Sequence, residues 1–248
     1  MARETYNFPD AARDLLRGIP NYRQLSFLEL SCGDGNIIND LRKEGARVRG
    51  TTFRSQEEDY IRTQPYPEGL QVDGGIDLNK PLPYPDASFD VVFSTEVIEH
   101  VESHRTFISE SARVLKPGGY IVMTTPNMHR LMSRFHYFLS GVDLLKVRTI
   151  PHSVPIEKME EFHHHCVEFP ILHWLLWQTG LRIEALIPGR VHPVSKLMMV
   201  FGPIVRRFTR PALEKYKRPE EEHREGREDL IKWMNSSTLL TSEHICLR

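Results

Sequence analysis

Glu96, Glu99 and His100 stand at i, i+3 and i+4, so a helix over this segment would set all three on one face. Two carboxylates and an imidazole can take a divalent cation there, and that donor set suits Mg²⁺ or Mn²⁺ better than a structural zinc. The run Phe162-His163-His164-His165-Cys166 offers a further imidazole. An ion so held would chelate neighbouring hydroxyls and lower the pKa of an attacking oxygen. Without a metal, His100 or one of the histidines at 163–165 can act as general base, because imidazole titrates near neutral pH. The same residues also fit plainer roles, with Glu99 and His100 packing and capping near a sheet edge and the histidines in a solvated loop.

A second constellation is Ser31-Cys32-Gly33-Asp34-Gly35. Gly33 and Gly35 let the backbone pass close to a ligand, and a helix starting near Asn36 aims free amides at the same place. Taken alone, a glycine turn fits a nucleotide-type ligand and a merely tight turn equally well.

The elements that must position these groups alternate. Residues 26–30 read as a short buried strand running into the glycine turn and a helix over 36–43. A strand at 47–52, a polar helix near 56–64 and a short strand around 70–74 follow, and Pro81, Pro83 and Pro85 then hold an extended loop. Residues 89–94 are apolar and rich in β-formers, as a central parallel strand should be. A helix near 104–114 is stopped by Lys116-Pro117-Gly118-Gly119 before a strand at 120–125. This rhythm predicts a parallel sheet with right-handed crossovers, whose ligands sit beyond the carboxyl ends of the strands. Past Pro126 come an amphipathic helix over 128–140, an irregular stretch over 142–166 and a helix near 170–179. A strand near 181–187, an apolar segment over 194–208, a charged helix around 220–235 and a last strand within 244–247 complete the chain.

Bulk properties are those of one globular domain spanning 1–248: 248 residues, 40% hydrophobic and 26% charged. Lys and Arg total 32 against 33 Asp and Glu, so no global field draws the chain to nucleic acid. Cys32, Cys166 and Cys246 form no C-x-x-C pair, and a reducing cytoplasm fits best. The N-terminus lacks an apolar signal core, and the most apolar stretch, 197–205, is interrupted by Gly202 and Pro203. No transmembrane helix is expected.

In sequence order, Leu28-Glu29-Leu30-Ser31-Cys32-Gly33-Asp34-Gly35, Asp77, Ser88-Phe89-Asp90-Val91-Val92, Glu96-Val97-Ile98-Glu99-His100-Val101 and Arg113-Val114-Leu115-Lys116-Pro117-Gly118-Gly119 resemble the class I S-adenosylmethionine-dependent methyltransferases. The resemblance implies an α/β Rossmann-like fold. Its central, mostly parallel sheet would have seven strands flanked by helices, with lid insertions after strand five and in the C-terminal third. Residues 20–127 would form the cofactor-binding half and 128–248 the substrate-bearing half. It also implies S-adenosylmethionine as cofactor. Glu29, Gly33 and Gly35 would frame the methionine part, Asp77 would accept from the adenine amine, and Ser94 to Glu96 would line the methyl-donor pocket. Asp90, at the start of its strand, reads as structural. Two positions depart from the family pattern. Ser31 stands where glycine is usual, and Thr51-Thr52 stands where an acidic residue usually holds the ribose; Thr52 can still donate one hydrogen bond.

The Glu-x-x-Glu-His segment with a later histidine is also similar to the small-RNA 2′-O-methyltransferases, which implies Glu96, Glu99, His100 and His165 as ligands, with His163 next. Ubiquinone-pathway O-methyltransferases share a similar arrangement, so the pattern does not select RNA. The expected reaction is methylation of a hydroxyl on a small molecule, sugar or lipid-linked sugar, with His100 and His165 as catalytic candidates. A non-catalytic cofactor-binding scaffold and an RNA 2′-O-methyltransferase are the alternatives. Residues 197–205, followed by Arg206, Arg207 and Arg210, fit a packed lid, a peripheral membrane contact, a gate for a lipid-linked substrate or a dimer contact.

Overall fold

In a computed structural model the described residues are 8–53, 65–141, 153, 155, 165–191, 193–214 and 224–248. Along them run α1 (Phe8–Arg17), β1 (Ser26–Glu29), α2 (Asn36–Lys43), β2 (Arg47–Thr51), β3 (Val72–Asp73), β4 (Phe89–Thr95), α3 (His104–Val114) and β5 (Leu115–Pro126). Then come α4 (Leu131–Ser140), α5 (Phe169–Gln178), β6 (Leu186–Pro188), α6 (Pro193–Leu197), α7 (Gly202–Glu214), α8 (Arg224–Met234), α9 (Ser237–Thr241) and β7 (His244–Leu247).

The strands form one seven-stranded sheet in the order β3-β2-β1-β4-β5-β7-β6. All pairings are parallel except those of β7, which runs antiparallel between β5 and β6. From β1 the chain winds outward to β2 and β3 and then crosses back to β4. The strand order therefore reverses between β1 and β4, opening a crevice at their carboxyl ends. Alternation along the strands buries both faces. Phe27, Val91, Phe93 and Val122 pack under α1 and α2, whereas Leu28, Val92, Ile121 and Met123 pack under α3 and α5.

Four expectations shift. The strand expected at 120–125 begins at Leu115, because the Lys-Pro-Gly-Gly segment is drawn into the sheet. Pairing jumps from Phe89↔Leu115 to Val91↔Tyr120 across a bulge that Gly118 permits with φ +77°. The strand expected near 181–187 is reduced to Leu186–Pro188 at the sheet's edge, preceded by paired amides of Ala185 and Arg248. The helix expected over 128–140 starts only at Leu131, since the Asn127 side chain accepts from His129 N at 2.9 Å and holds a turn first. Residues 96–100 do not form an α-helix: Glu96 adopts φ +56° and only Ile98–His100 close a single 3-10 turn. The polar helix at 56–64 and most of the stretch 142–166, including His163 and His164, fall outside the described residues.

Candidate functional site

The turn after β1 is built from backbone that side chains rarely adopt. Ser31, Gly33 and Gly35 have φ of +55°, +54° and +73°. It is fastened to the tip of β2, where Thr51 Oγ1 accepts from Ser31 N at 2.9 Å and Thr51 O from Cys32 N at 2.8 Å. A Cβ added at Gly33 would meet nothing within 4 Å, so this peptide faces open space. Just before the turn, the Glu29 side chain is 1% exposed. It accepts from the Ile38 amide in the first turn of α2, and burial first, then the nearby charge of Asp34, pushes its pKa well above the usual carboxylate range. Its Oε2 is buried without a hydrogen-bond partner.

The tip of β4 repeats this pattern of unmet demand. Ser94 Oγ, Glu96 Oε1 and Glu99 Oε1 are buried and lack partners. The left-handed Glu96 is held by its amide, which donates to Thr124 O at 3.0 Å and lies 3.2 Å from Thr124 Oγ1. Its Oε2 lies 3.4 Å from His244 Nε2. Glu99, fully buried, accepts from Thr125 Oγ1 at 3.1 Å. The two carboxyls reach one another, and burial, reinforced for Glu96 by the neighbouring Glu99 charge, raises both pKa values. Buried polar atoms are normally satisfied, and here Glu29, Ser94, Glu96 and Glu99 bring such unpartnered oxygens together near the carboxyl ends of β1 and β4.

The other expected residues are placed as follows. Asp77 serves its own loop, accepting from Asn79 N at 2.9 Å and pairing with Lys80 at 3.1 Å. Thr52 joins strand to loop through its backbone, donating to Asp73 O at 2.9 Å and accepting from Ile76 N at 3.0 Å. His100 lies in the 3-10 turn, its amide donating to Val97 O at 2.9 Å. His165 is tied to the site by its main chain, donating to Glu99 O at 3.1 Å. Its ring stands edge-on to that of His104, with centroids 6.2 Å apart. The set Glu96, Glu99, His100 and His165 does not assemble as metal ligands: among the described residues no group of three or more His, Cys, Asp or Glu could hold an ion. The reason is local, since the left-handed turn at Glu96 breaks the helical face that the spacing implied.

The imidazole the structure does bring to Glu96 is His244, read in the sequence only as a strand residue. No local signal marks it, because the contact depends on β7 inserting antiparallel beside β5 with Pro126 opposite His244.

Residues 28–123 match the family model described as methyltransferase domain. The ubiquinone biosynthesis O-methyltransferase of Maricaulis maris is 32% identical over 113 residues, 45% of this chain and 44% of that protein. Norajmaline N-methyltransferase of Rauvolfia serpentina is 33% identical over 119 residues, 46% of this chain and 40% of that protein. The matched stretch thus spans less than half the length of either relative. A solved S-adenosylmethionine dependent methyltransferase from Mesorhizobium loti shares the fold over 96% of both chains, with a TM-score of 0.54 at 17% identity. The fold is that of a Rossmann-like class I methyltransferase.

Proposed function

We propose that this chain is an S-adenosylmethionine-dependent methyltransferase that methylates a hydroxyl of a small molecule, sugar or lipid-linked sugar. One observation carries the reading: a buried carboxyl, Glu29, with an oxygen left unpartnered beside a glycine turn that opens onto empty space. A ligand with a cationic amino-acid end satisfies that oxygen and fills that space. Bound there, S-adenosylmethionine would supply an electrophilic methyl group on a sulfonium sulfur.

The remaining steps belong to the chain. Glu29 takes the ammonium, and the Gly33 peptide lies against the carboxylate end. Ser94 Oγ and Glu96 Oε1 line the neighbouring strand tip, where the acceptor is held in line. In its ionised form Glu96 accepts the proton of the attacking hydroxyl at Oε1, its raised pKa making it the stronger base, while His244 lies against the other oxygen. The described residues do not form a set of metal ligands, so the chain's own side chains carry the proton and hold the acceptor.

Calorimetric titration with S-adenosylhomocysteine tests the cofactor half of this reading. Saturable heat at micromolar ligand is expected, and a flat trace at millimolar ligand overturns it. A second reading, transfer to an amine, is favoured by the two buried carboxyls, one of which, when ionised, can hold an ammonium and take its proton so that the neutral amine attacks the methyl group. Isotopically labelled methyl donor offered with acceptor pairs differing only in hydroxyl or amine separates the two.

A further inference from the structure

Two segments expose most of the large apolar side chains that the described surface presents. On α4 these include Phe135 and Phe138, the latter 83% exposed. On the continuous helical run from α6 through a 3-10 turn at Met198–Phe201 into α7 they include Leu197, Phe201, Ile204 and Phe208. Phe201, Ile204 and Phe208 are spaced i, i+3 and i+7 into α7, which lays them along one helix face. The segments are neighbours, because α4 packs against both α6 and the 3-10 turn. Monomeric proteins rarely leave so large an apolar surface uncovered without a use for it.

Charge narrows the occupant. No Asp or Glu occurs between Glu110 and Asp143, nor between Glu184 and Glu214, in a chain with 33 acidic residues. Lys196, Arg206 and Arg207 are exposed on the second segment. Glu228 of the neighbouring α8 is paired with Arg210, and Lys196, Arg206 and Arg207 beside an apolar stripe are the chemistry of a helix lying in the headgroup plane of an anionic bilayer. A second copy of the chain fits less well, since a two-fold contact brings the same basic patch against itself. No helix among the described residues is long and apolar enough to cross a membrane, so the contact is with a surface.

Topology fixes the orientation. β5 ends at Pro126 just before α4, and β6, parallel to β5, ends at Pro188 just before α6. Both helices therefore leave the same edge of the sheet as the glycine turn after β1. We infer that α4 and the α6–α7 run form a docking face for anionic lipid membranes, set on the rim that carries the candidate site.

The inference rests on surface chemistry, and its test needs neither cofactor nor acceptor, so it stands or falls apart from methyl transfer. The whole chain is sedimented with phosphatidylcholine vesicles, alone or mixed with phosphatidylglycerol. Binding to the mixed vesicles that weakens with added salt is expected. Phe201→Ser and Phe208→Ser should each lower partitioning about tenfold, and Lys196→Gln and Arg207→Gln about fivefold each. Melting curves should stay unchanged because these side chains are exposed. Absence of binding to anionic vesicles overturns the proposal, as does binding that the four substitutions leave intact. A stable dimer by analytical ultracentrifugation that Phe201→Ser dissociates, with no vesicle binding, assigns the face to self-association instead.

Discussion

The two ends of the sheet treat a carboxylate in opposite ways. At the amino end, Asp90 of β4 accepts from Ser26 N at 2.8 Å and from Ser26 Oγ, and pairs with Lys116 Nζ at 2.8 Å. Burial alone would raise its pKa, but these donors hold it down to about 2. At the carboxyl end of the neighbouring β1, Glu29 has one backbone donor, a negative neighbour and an oxygen with no partner, and its pKa is pushed well up. The contrast holds for this pair rather than for every strand, since Asp73 at the end of β3 is met by Arg49 and Tyr84. A carboxylate met by fixed donors stabilises the protein, whereas one left unmet costs stability that the proposed ligand would restore.

The sharpest way to break this contrast is Glu29→Gln. Removing the charge that would face the cofactor's ammonium should weaken S-adenosylhomocysteine binding by about 100-fold, as losing a charged hydrogen bond does. The same change should stabilise the empty protein. A carboxyl with a raised folded pKa destabilises the native state as pH climbs above its unfolded value, so the variant should melt higher than the parent at pH 8 and match it near pH 4. In the parent, ligand binding should expel the proton Glu29 retains in mildly acidic buffer. The binding heat at pH 6 should then vary with the ionisation enthalpy of the buffer, and a heat independent of buffer would show that Glu29 is already charged or does not meet the ligand.

Asp90→Asn is the mirror experiment, with a smaller effect of opposite kind. The Asp90 side chain is 23% exposed, and a pKa of about 2 against an ordinary 3.8 corresponds to about 2 kcal/mol of native stability. That contribution is present above the unfolded pKa and fades as pH falls toward 2. The variant should melt about 5 °C lower at neutral pH, lose the disadvantage in acid, and bind S-adenosylhomocysteine as the parent does. Weakened binding in a variant of unchanged stability would abolish the distinction between the two ends.

Much of this arrangement is legible in the sequence where chemistry is local. The helices at 36–43 and 104–114 are found as expected because apolar spacing and their flanking residues are carried within each segment. The glycine turn stands where expected, directly after a strand that ends at Glu29, because strand and turn residues are neighbours in the chain. The reading fails where long-range geometry decides. Glu96, Glu99 and His100 looked like one helical face, yet pairing of Glu96 N with Thr124 O turns that backbone left-handed. His244 reaches Glu96 only because the last strand inserts beside β5.

The mildest test lies between these extremes, at the departure from the family pattern in the turn itself. Ser31 holds φ +55°, a region where a side chain costs about 1 kcal/mol and glycine nothing. Its amide is already committed to Thr51 Oγ1, so replacing the side chain removes strain without removing that bond. Ser31→Gly gives the unfolded chain more freedom, which offsets part of the gain. A rise in stability of about 0.5 kcal/mol is therefore expected by urea titration. A loss of stability would mean that the serine hydroxyl makes up for its backbone strain within the turn, which would place one satisfied side chain at the end of the sheet where Glu29 is left unmet.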